Sequence, residues 1–373
     1  MAPITWLDKL EQELNVDVDW MDPEYIQAML PKIRFHDQTS NQLWVDIQLG
    51  HESNAELLRQ TVAELKDAGW LAIYTRMAVQ MCKKNIDMIS GRVLLQTLPS
   101  KAYDTAATLA HARLYDAEFA RAGIGRDRFT IKIPSTGPAL NAARTLQAEG
   151  IQTLGTALFG VPQAVACSQA RCLYISPYYN ETAAHDFPDT LWPKVADPAL
   201  EHPNSPRIVQ ILEVYRRLYK ASGGREEQPL LKNASFISAE EAMAAGEMGC
   251  HSATISHTVL NELAARPYDP ATRPGGGEGV EKTALQYRDD SPSVPARLRK
   301  LLTVDPLRAD GKPQFSLDEA VKIDYLADGG KALDAAIEAD PEAKKRLAVA
   351  LELFTGGENR SKEKIEAVLA ALL

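Results

Sequence analysis

The chain is short of several things, and each shortage removes a class of protein. Among 373 residues only four are cysteine, and Cys82, Cys167, Cys172 and Cys250 form no CxxC pair and have no histidine at metal-ligand spacing. Neither a disulfide framework nor a zinc site is indicated, so the thiols read as reduced core residues in a reducing compartment. Positive charge is in deficit: 41 Lys and Arg against 50 Asp and Glu leave a net charge of −9. Such a surface would not attract a nucleic-acid backbone or an anionic membrane. No stretch approaches the roughly 20 apolar residues that span a bilayer. The N-terminus, Met1-Ala-Pro-Ile-Thr-Trp-Leu-Asp8, lacks a basic region followed by an apolar core, so a cytoplasmic location is expected. The seven histidines are scattered, with His251 and His257 the nearest pair to a strand end, and Gly275-Gly-Gly277 does not join a strand to a helix. No metal site, phosphate loop or cofactor is therefore called for, and small molecules remain as partners. A homodimer stays open, because an apolar helix face can meet its own barrel or a second copy.

What is present is a globular chain, 45% hydrophobic and 24% charged, able to bury one large core. Short β-branched runs alternate with stretches of helical period, the pattern of βα units around a parallel sheet. The clearest strands are Arg92–Thr97, Phe129–Ile133, Ile151–Leu158, Cys172–Ser176, Leu230–Ser235 and Ser252–Ser256, with weaker ones near Val16–Asp19 and Arg34–Gln38. Ser53-Asn-Ala-Glu56 reads as a capping box opening a helix through Leu58, Val62 and Leu65. Ser316-Leu-Asp-Glu319 reads as another, and Ile365, Val368, Leu369 and Leu372 mark a helix at the very end. The fold class is α/β, a (β/α)8 TIM barrel spanning residues 1–373 as one domain. A Pro- and Gly-rich segment at 266–314 is expected to be a long loop or lid, and C-terminal helices at 315–373 to pack on the barrel.

In Phe129-Thr-Ile-Lys-Ile-Pro134, alternation puts Lys132 with Thr130 and Pro134 on the face opposite Phe129, Ile131 and Ile133. The outer face of a barrel strand meets apolar helices, so Lys132 should point into the lumen. Desolvation there favours the neutral amine, a nucleophile for carbonyl carbon. From the pattern alone, a lysine on an exposed strand edge is the commoner outcome.

The run containing Ile131-Lys-Ile-Pro-Ser-Thr136, Thr156-Ala-Leu-Phe159, Gln163-Ala-Val-Ala-Cys167 and Ile175-Ser-Pro177 resembles the core of the transaldolase family. Asp19 to Asp22, Asp37-Gln-Thr-Ser-Asn41, Gly91-Arg92 through Tyr103-Asp-Thr105 and Ala234-Ser-Phe236 extend the likeness, in family order, over residues from about 10 to 260. The resemblance implies that Lys132 forms a Schiff base and that Asp19 is the acid/base carboxylate. It also implies that Asn41 and Ser176 bond donor hydroxyls and the iminium-side oxygen, while Thr156 positions a water. Read without it, Asp19 is as well a helix cap, and the others are turn or core residues that satisfy backbone groups.

Departures from the family pattern bear on function. Gln96 stands where transaldolases carry a proton-relaying glutamate, and an amide cannot relay that proton. Tyr178 replaces a phenylalanine and adds a phenol. This pair is similar to that of fructose-6-phosphate aldolase, a smaller relative, and implies Tyr178 as general acid/base. A barrel aromatic bonded elsewhere is the alternative. Glu181 and Ile237 occupy the positions of two phosphate-binding arginines. Ser235 is retained, and Arg273 or Lys282 could replace the arginines only by swinging in. A phosphate beside Glu181 would be repelled.

The resulting expectation is a class I aldolase or transaldolase-like enzyme acting through Lys132 on non-phosphorylated ketones and aldehydes, with Glu181 and Ile237 in the substrate pocket. One alternative is a true transaldolase of the pentose phosphate pathway, moving dihydroxyacetone between sugar phosphates. Another is a catalytically retired barrel that binds a metabolite or a protein.

Overall fold

A computed structural model describes residues 4–280, 282, 287 and 294–371. Eight parallel strands close into a barrel in sequence order: β1 (Asn15–Val18), β2 (Gln38–Thr39), β3 (Val93–Gln96), β4 (Phe129–Pro134), β5 (Thr153–Leu158), β6 (Tyr174–Pro177), β7 (Leu230–Ala234) and β8 (Ser252–Ile255). Closure is made by β8 pairing with β1, from Asn15 beside Ser252 to Val18 beside Ile255. Helices follow the strands, and the outward residues Val16, Leu95, Ile131, Ile175 and Ile255 pack under them in the main core. Inside the barrel, Leu94, Leu154 and Tyr174 form a smaller apolar layer of their own.

All eight expected strands are present, but β2 is two residues long and begins where the expected strand, Arg34–Gln38, ends. The reason is local. The Asp37 carboxylate accepts the Arg92 N–H at 2.6 Å in place of a backbone acceptor, and the Asp37 N–H goes to the Asp17 carboxylate at 3.0 Å, so regular pairing with β3 starts only at Gln38. The Ser53 box does not form either. His51 starts a short 3-10 turn, Glu52–Asn54, its ring takes the Ser53 hydroxyl at 2.7 Å, and the helix begins at Ala55. At Ser316 the reciprocal box is complete.

Asp17, His36 and Asp37 converge at the amino-terminal end of the lumen, with acceptor atoms within 4.8 Å of one another. Lys232 fills the centre of the group: its Nζ lies 2.9 Å from Asp17, 2.7 Å from Asp37 and 3.1 Å from Ser252 Oγ, over the Tyr174 ring at 4.4 Å. The cluster is thus an ion network with its own resident cation. Burial opposes ionisation of Asp37, but Lys232 and His36 hold its carboxyl well below the usual range. Hydrogen bonds to Asp17 and then Asp37 raise His36 to about 9.

The described part of 266–314 starts on this same end, remote from the carboxyl ends of the strands. Arg273 is bound by Glu13, at the end of the helix before β1, and by Met243 O at 3.2 Å, while Val280 N–H donates to Gly246 O. From there a 3-10 helix, Ala296–Thr303, climbs the Ser205–Ala221 helix, Gln210 bonding Leu301 O at 2.9 Å. Residues 281, 283–286 and 288–293 of the expected loop, and Leu372 of the expected last helix, lie outside the described residues. The mouth is crossed instead by the long helix Pro341–Ala371, about 46 Å at 1.5 Å per residue. Its Lys345 reaches Glu181 beyond β6, its Glu358 takes Ser100 N–H and Oγ beyond β3, and its Gly357 lies against the Gln42 backbone beyond β2. A Cβ at Gly357 would stand 2.9 Å from the Gln42 carbonyl, so the close crossing requires glycine. No described helix is long and apolar enough to cross a membrane, and all four cysteines are buried and unbridged.

Lys232 sets a test of the ion network. Lys232→Met leaves two buried carboxylates without their shared cation, which costs about 3–5 kcal/mol. Urea unfolding should show a lower midpoint with an unchanged slope; an unmoved midpoint would mean that the carboxylates find other relief.

Candidate active site

The pleat decides which side chains meet at the carboxyl ends of the strands, the end at which barrel enzymes carry their chemistry. Register sets Lys132 beside Gln96 of β3, and Pro134 beside Thr156 of β5. Asp19 follows β1 directly, and Tyr178, just past β6, bridges Ala234 of β7. Lys132, Asp19, Gln96, Thr156 and Tyr178 therefore share one end of the barrel, opposite the Lys232 network.

Lys132 is 4% exposed, and its Nζ donates to the Ser40 carbonyl at 2.8 Å. Burial lowers its pKa from 10.5 to about 8, with the Asp19 charge pulling the other way. A carbonyl accepts equally from ammonium and amine, so this contact holds the nitrogen in place without fixing its proton. Asp19 Oδ1 accepts from Thr39 Oγ1 at 2.7 Å and from Trp44 Nε1 at 3.0 Å, and Oδ2 has no hydrogen-bond partner among the described residues. Trp20 meets Trp44 edge-on, ring centroids 4.9 Å apart, and lies 4.4 Å from the His257 ring, so an aromatic wall flanks the carboxylate.

Tyr178 OH lies 3.1 Å from Thr156 Oγ1. Burial raises the phenol pKa, so it keeps its proton and is suited to donate it. Gln96 is 1% exposed, and no described protein group bonds either end of its amide. A buried amide in that state calls for a small polar partner, water or substrate. Ser176 is buried on β6 two residues before Tyr178. Asn41 is the N-cap of the Gln42–Gly50 helix: its Oδ1 accepts the Leu43 and Trp44 N–H groups, and its NH2 remains available.

Backbone strain marks the same region. Ala157, directly after Thr156, has φ +50, where the β5–β6 register slips between Gly155 and Leu158. Ser235 has φ +67. Each such non-glycine residue costs on the order of 1–3 kcal/mol, and strain of this kind collects at sites where side chains must be aimed.

The substrate-end residues are placed as follows. The Glu181 carboxylate lies 3.4 Å from Lys345 of the C-terminal helix, and Arg346, which burial makes less basic, is held by Glu342 at 3.3 Å with Glu181 also nearby. Ile237 is half-buried, its N–H given to Glu241 at 2.8 Å. Ser235 Oγ bonds Asn180 O at 3.0 Å and His185 Nε2 at 2.9 Å. Neither Arg273 nor Lys282 can swing in. Arg273 is committed to Glu13, and Lys282 sits 2.8 Å from Glu11, both at the amino-terminal end of the barrel.

Sequence reasoning did not single out Ser40, Thr39, Trp44 or His185, and noted His257 only as lying near a strand end. For Trp44 a signal existed: it lies three residues past the Asn41 cap, on the first helical turn. Ser40 acts through its carbonyl, which no side-chain pattern reveals.

Comparison with known proteins identifies the family. The family model described as Transaldolase/Fructose-6-phosphate aldolase matches residues 16–300. The chain belongs to this family. It is accordingly an enzyme of the transaldolase and aldolase type. A transaldolase of Nostoc punctiforme is 34% identical over 277 residues, 70% of this chain and 79% of that protein. One of Rhizobium rhizogenes is 33% identical over 271 residues, 69% and 77%. One of Thermosynechococcus vestitus is 30% identical over 332 residues, 85% and 77%. A solved structure described as an IMP dehydrogenase/GMP reductase-like protein of Corynebacterium glutamicum overlays with a TM-score of 0.39 at 13% identity, over 82% of this chain and 84% of that one, too distant to carry an argument.

The Lys132 environment has a measurable consequence. Only the neutral amine reacts, so its rate of reductive alkylation should rise with pH to a half-point near 8. Asp19→Asn removes the charge that raises the pKa, so the half-point should move to lower pH. A shift upward would show that Asp19 does not act on the amine in this way.

Proposed function

We propose that Lys132 condenses with the carbonyl carbon of a ketose, and that the resulting iminium drives reversible aldol cleavage. The observation that carries this reading is the desolvated Lys132 amine at the carboxyl end of β4, with Asp19, Gln96, Thr156 and Tyr178 gathered at the same end. The neutral amine adds to the carbonyl, and loss of water gives the iminium. Asp19 takes the proton of the hydroxyl on the carbon beyond the bond that breaks. An aldehyde leaves, and the bonding electrons collapse onto the iminium as an enamine. The enamine then has two fates. Addition to a second aldehyde, with the proton returned by Asp19, gives a new iminium whose hydrolysis completes transfer; protonation at carbon by Tyr178 followed by hydrolysis is net cleavage. Gln96 and Thr156 hold the water that hydrolyses the iminium on either route.

The substrates proposed are small non-phosphorylated ketones and aldehydes. Position 181 carries a carboxylate and position 237 an alkyl chain, and the cations nearest Glu181, Lys345 and Arg346, stand against Glu181 and Glu342. The exposed Lys345 supports one competing reading, a transaldolase that grips sugar phosphates from its C-terminal helix. Fructose 6-phosphate with erythrose 4-phosphate separates the two, and vigorous transfer would defeat the non-phosphorylated reading.

Borohydride with dihydroxyacetone should leave a single mass adduct on Lys132, absent in Lys132→Met; an unmodified wild-type protein would sink the Schiff base. Tyr178→Phe should slow net release of dihydroxyacetone by about 10²-fold while leaving trapping intact. Equal release by this variant would assign the proton to another group.

A further inference from the structure

Ser235 closes β7 in a left-handed conformation, with its hydroxyl between two partners. The Asn180 carbonyl is buried and receives no other described hydrogen bond, so the Ser235 proton goes there, at 3.0 Å. The 2.9 Å contact with His185 Nε2 is then one in which the imidazole donates. A neutral His185 is fixed as the Nε2–H tautomer, and its Nδ1 carries a lone pair that no described residue uses.

The ring belongs to the Thr182–His185 turn beyond β6, is open to solvent, and feels the charges of Asp19 and Asp186. Crowding by the protein nevertheless lowers its basicity, and the two carboxylates only partly oppose this. At neutral pH the mouth between β6 and β7 therefore presents an acceptor nitrogen, where Glu181 and Ile237 offer no cation. An acceptor suits a hydroxyl, which can donate. It opposes a phosphate dianion, whose oxygens only accept.

We propose that His185 is the specificity-determining residue for the far end of the substrate, its Nδ1 accepting a hydrogen bond from the terminal hydroxyl of a polyhydroxylated ketose. This rests on the reading of the site as a Schiff-base aldolase for non-phosphorylated ketoses. Ser235 and Asn180 hold the ring in the required tautomer.

Three probes test it in the intact chain: fructose, fructose 6-phosphate and dihydroxyacetone, which has no far end. For the wild type, fructose should be cleaved with the higher kcat/KM of the two ketoses. In His185→Ala the KM for fructose should rise about tenfold, the loss expected of one hydrogen bond, with kcat little changed. Borohydride trapping by dihydroxyacetone should keep its wild-type rate, which shows that the barrel is intact. Fructose 6-phosphate should lose nothing, so the ratio of the two kcat/KM values moves toward the phosphate. His185→Asn, whose amide oxygen can stand in for Nδ1, should recover part of the fructose loss. An unchanged KM for fructose, an equal loss on both ketoses, or a parallel fall in dihydroxyacetone trapping overturns the role of His185 while leaving the Schiff base standing. Absence of trapping in the wild type, or a wild-type preference for fructose 6-phosphate, overturns the underlying reading and the proposal with it.

Discussion

A cation taken out of water must either find an anion or give up its proton, and this barrel contains both outcomes. Lys232 and Lys132 are equally buried, at 1% and 4% exposure, on strands that face one lumen. Lys232 has two carboxylates within 3 Å and becomes a stronger base than a free lysine. Lys132 has one neutral carbonyl at 2.8 Å and an aspartate acting from farther off, and it falls to about 8. The first lysine is locked as a structural charge; the second is available as an amine. The polarity of the barrel, scaffold at one end and chemistry at the other, follows from where the acidic residues were put.

The same logic runs through the mouth. The helix Pro341–Ala371 is anchored by charge at several strand ends, through Lys345 to Glu181, Glu358 to Ser100, and Arg360 and Lys364 to Asp46. Glu181 therefore has a structural occupation in seating this helix. An arginine there would face Lys345 and Arg346 and repel the helix. A carboxylate at position 181 and the seating of a cationic helix turn over it are physically compatible with each other, and each favours the other.

How much of this could be read beforehand depended on the range of the interaction. β4 was legible because six residues in strict alternation declare their faces, and the two faces separated as expected into lumen and outer core. The lumen position of Lys132 followed from the same alternation. β2 was not legible, since the carboxylate of Asp37 replaces a ladder acceptor and only the fold brings Arg92 to it. The Ser53 box failed for a short-range reason instead: His51, two residues earlier, competed for the hydroxyl. The C-terminal helix was expected to pack on the barrel, but its place across the mouth depends on pairs such as Asp46 with Lys364, far apart in sequence and without a local signature. His185 escaped notice because its ring is oriented by Ser235, 50 residues away in sequence.

Gln96 shows most directly what the fold leaves for a ligand to complete. Both ends of its amide are buried and without partners among the described residues, next in register to the lysine proposed to react. A core built only for stability would bond or replace such a group, because an unsatisfied buried amide costs about 1–3 kcal/mol. Nearby, Ala157 and Ser235 hold left-handed backbone that no glycine relieves. Costs of this kind persist where the surrounding barrel is rigid enough to impose them. The eight-stranded closure supplies that rigidity, so the strain, the unpaired amide and the desolvated amine are carried together at one end of the scaffold, opposite the Lys232 network.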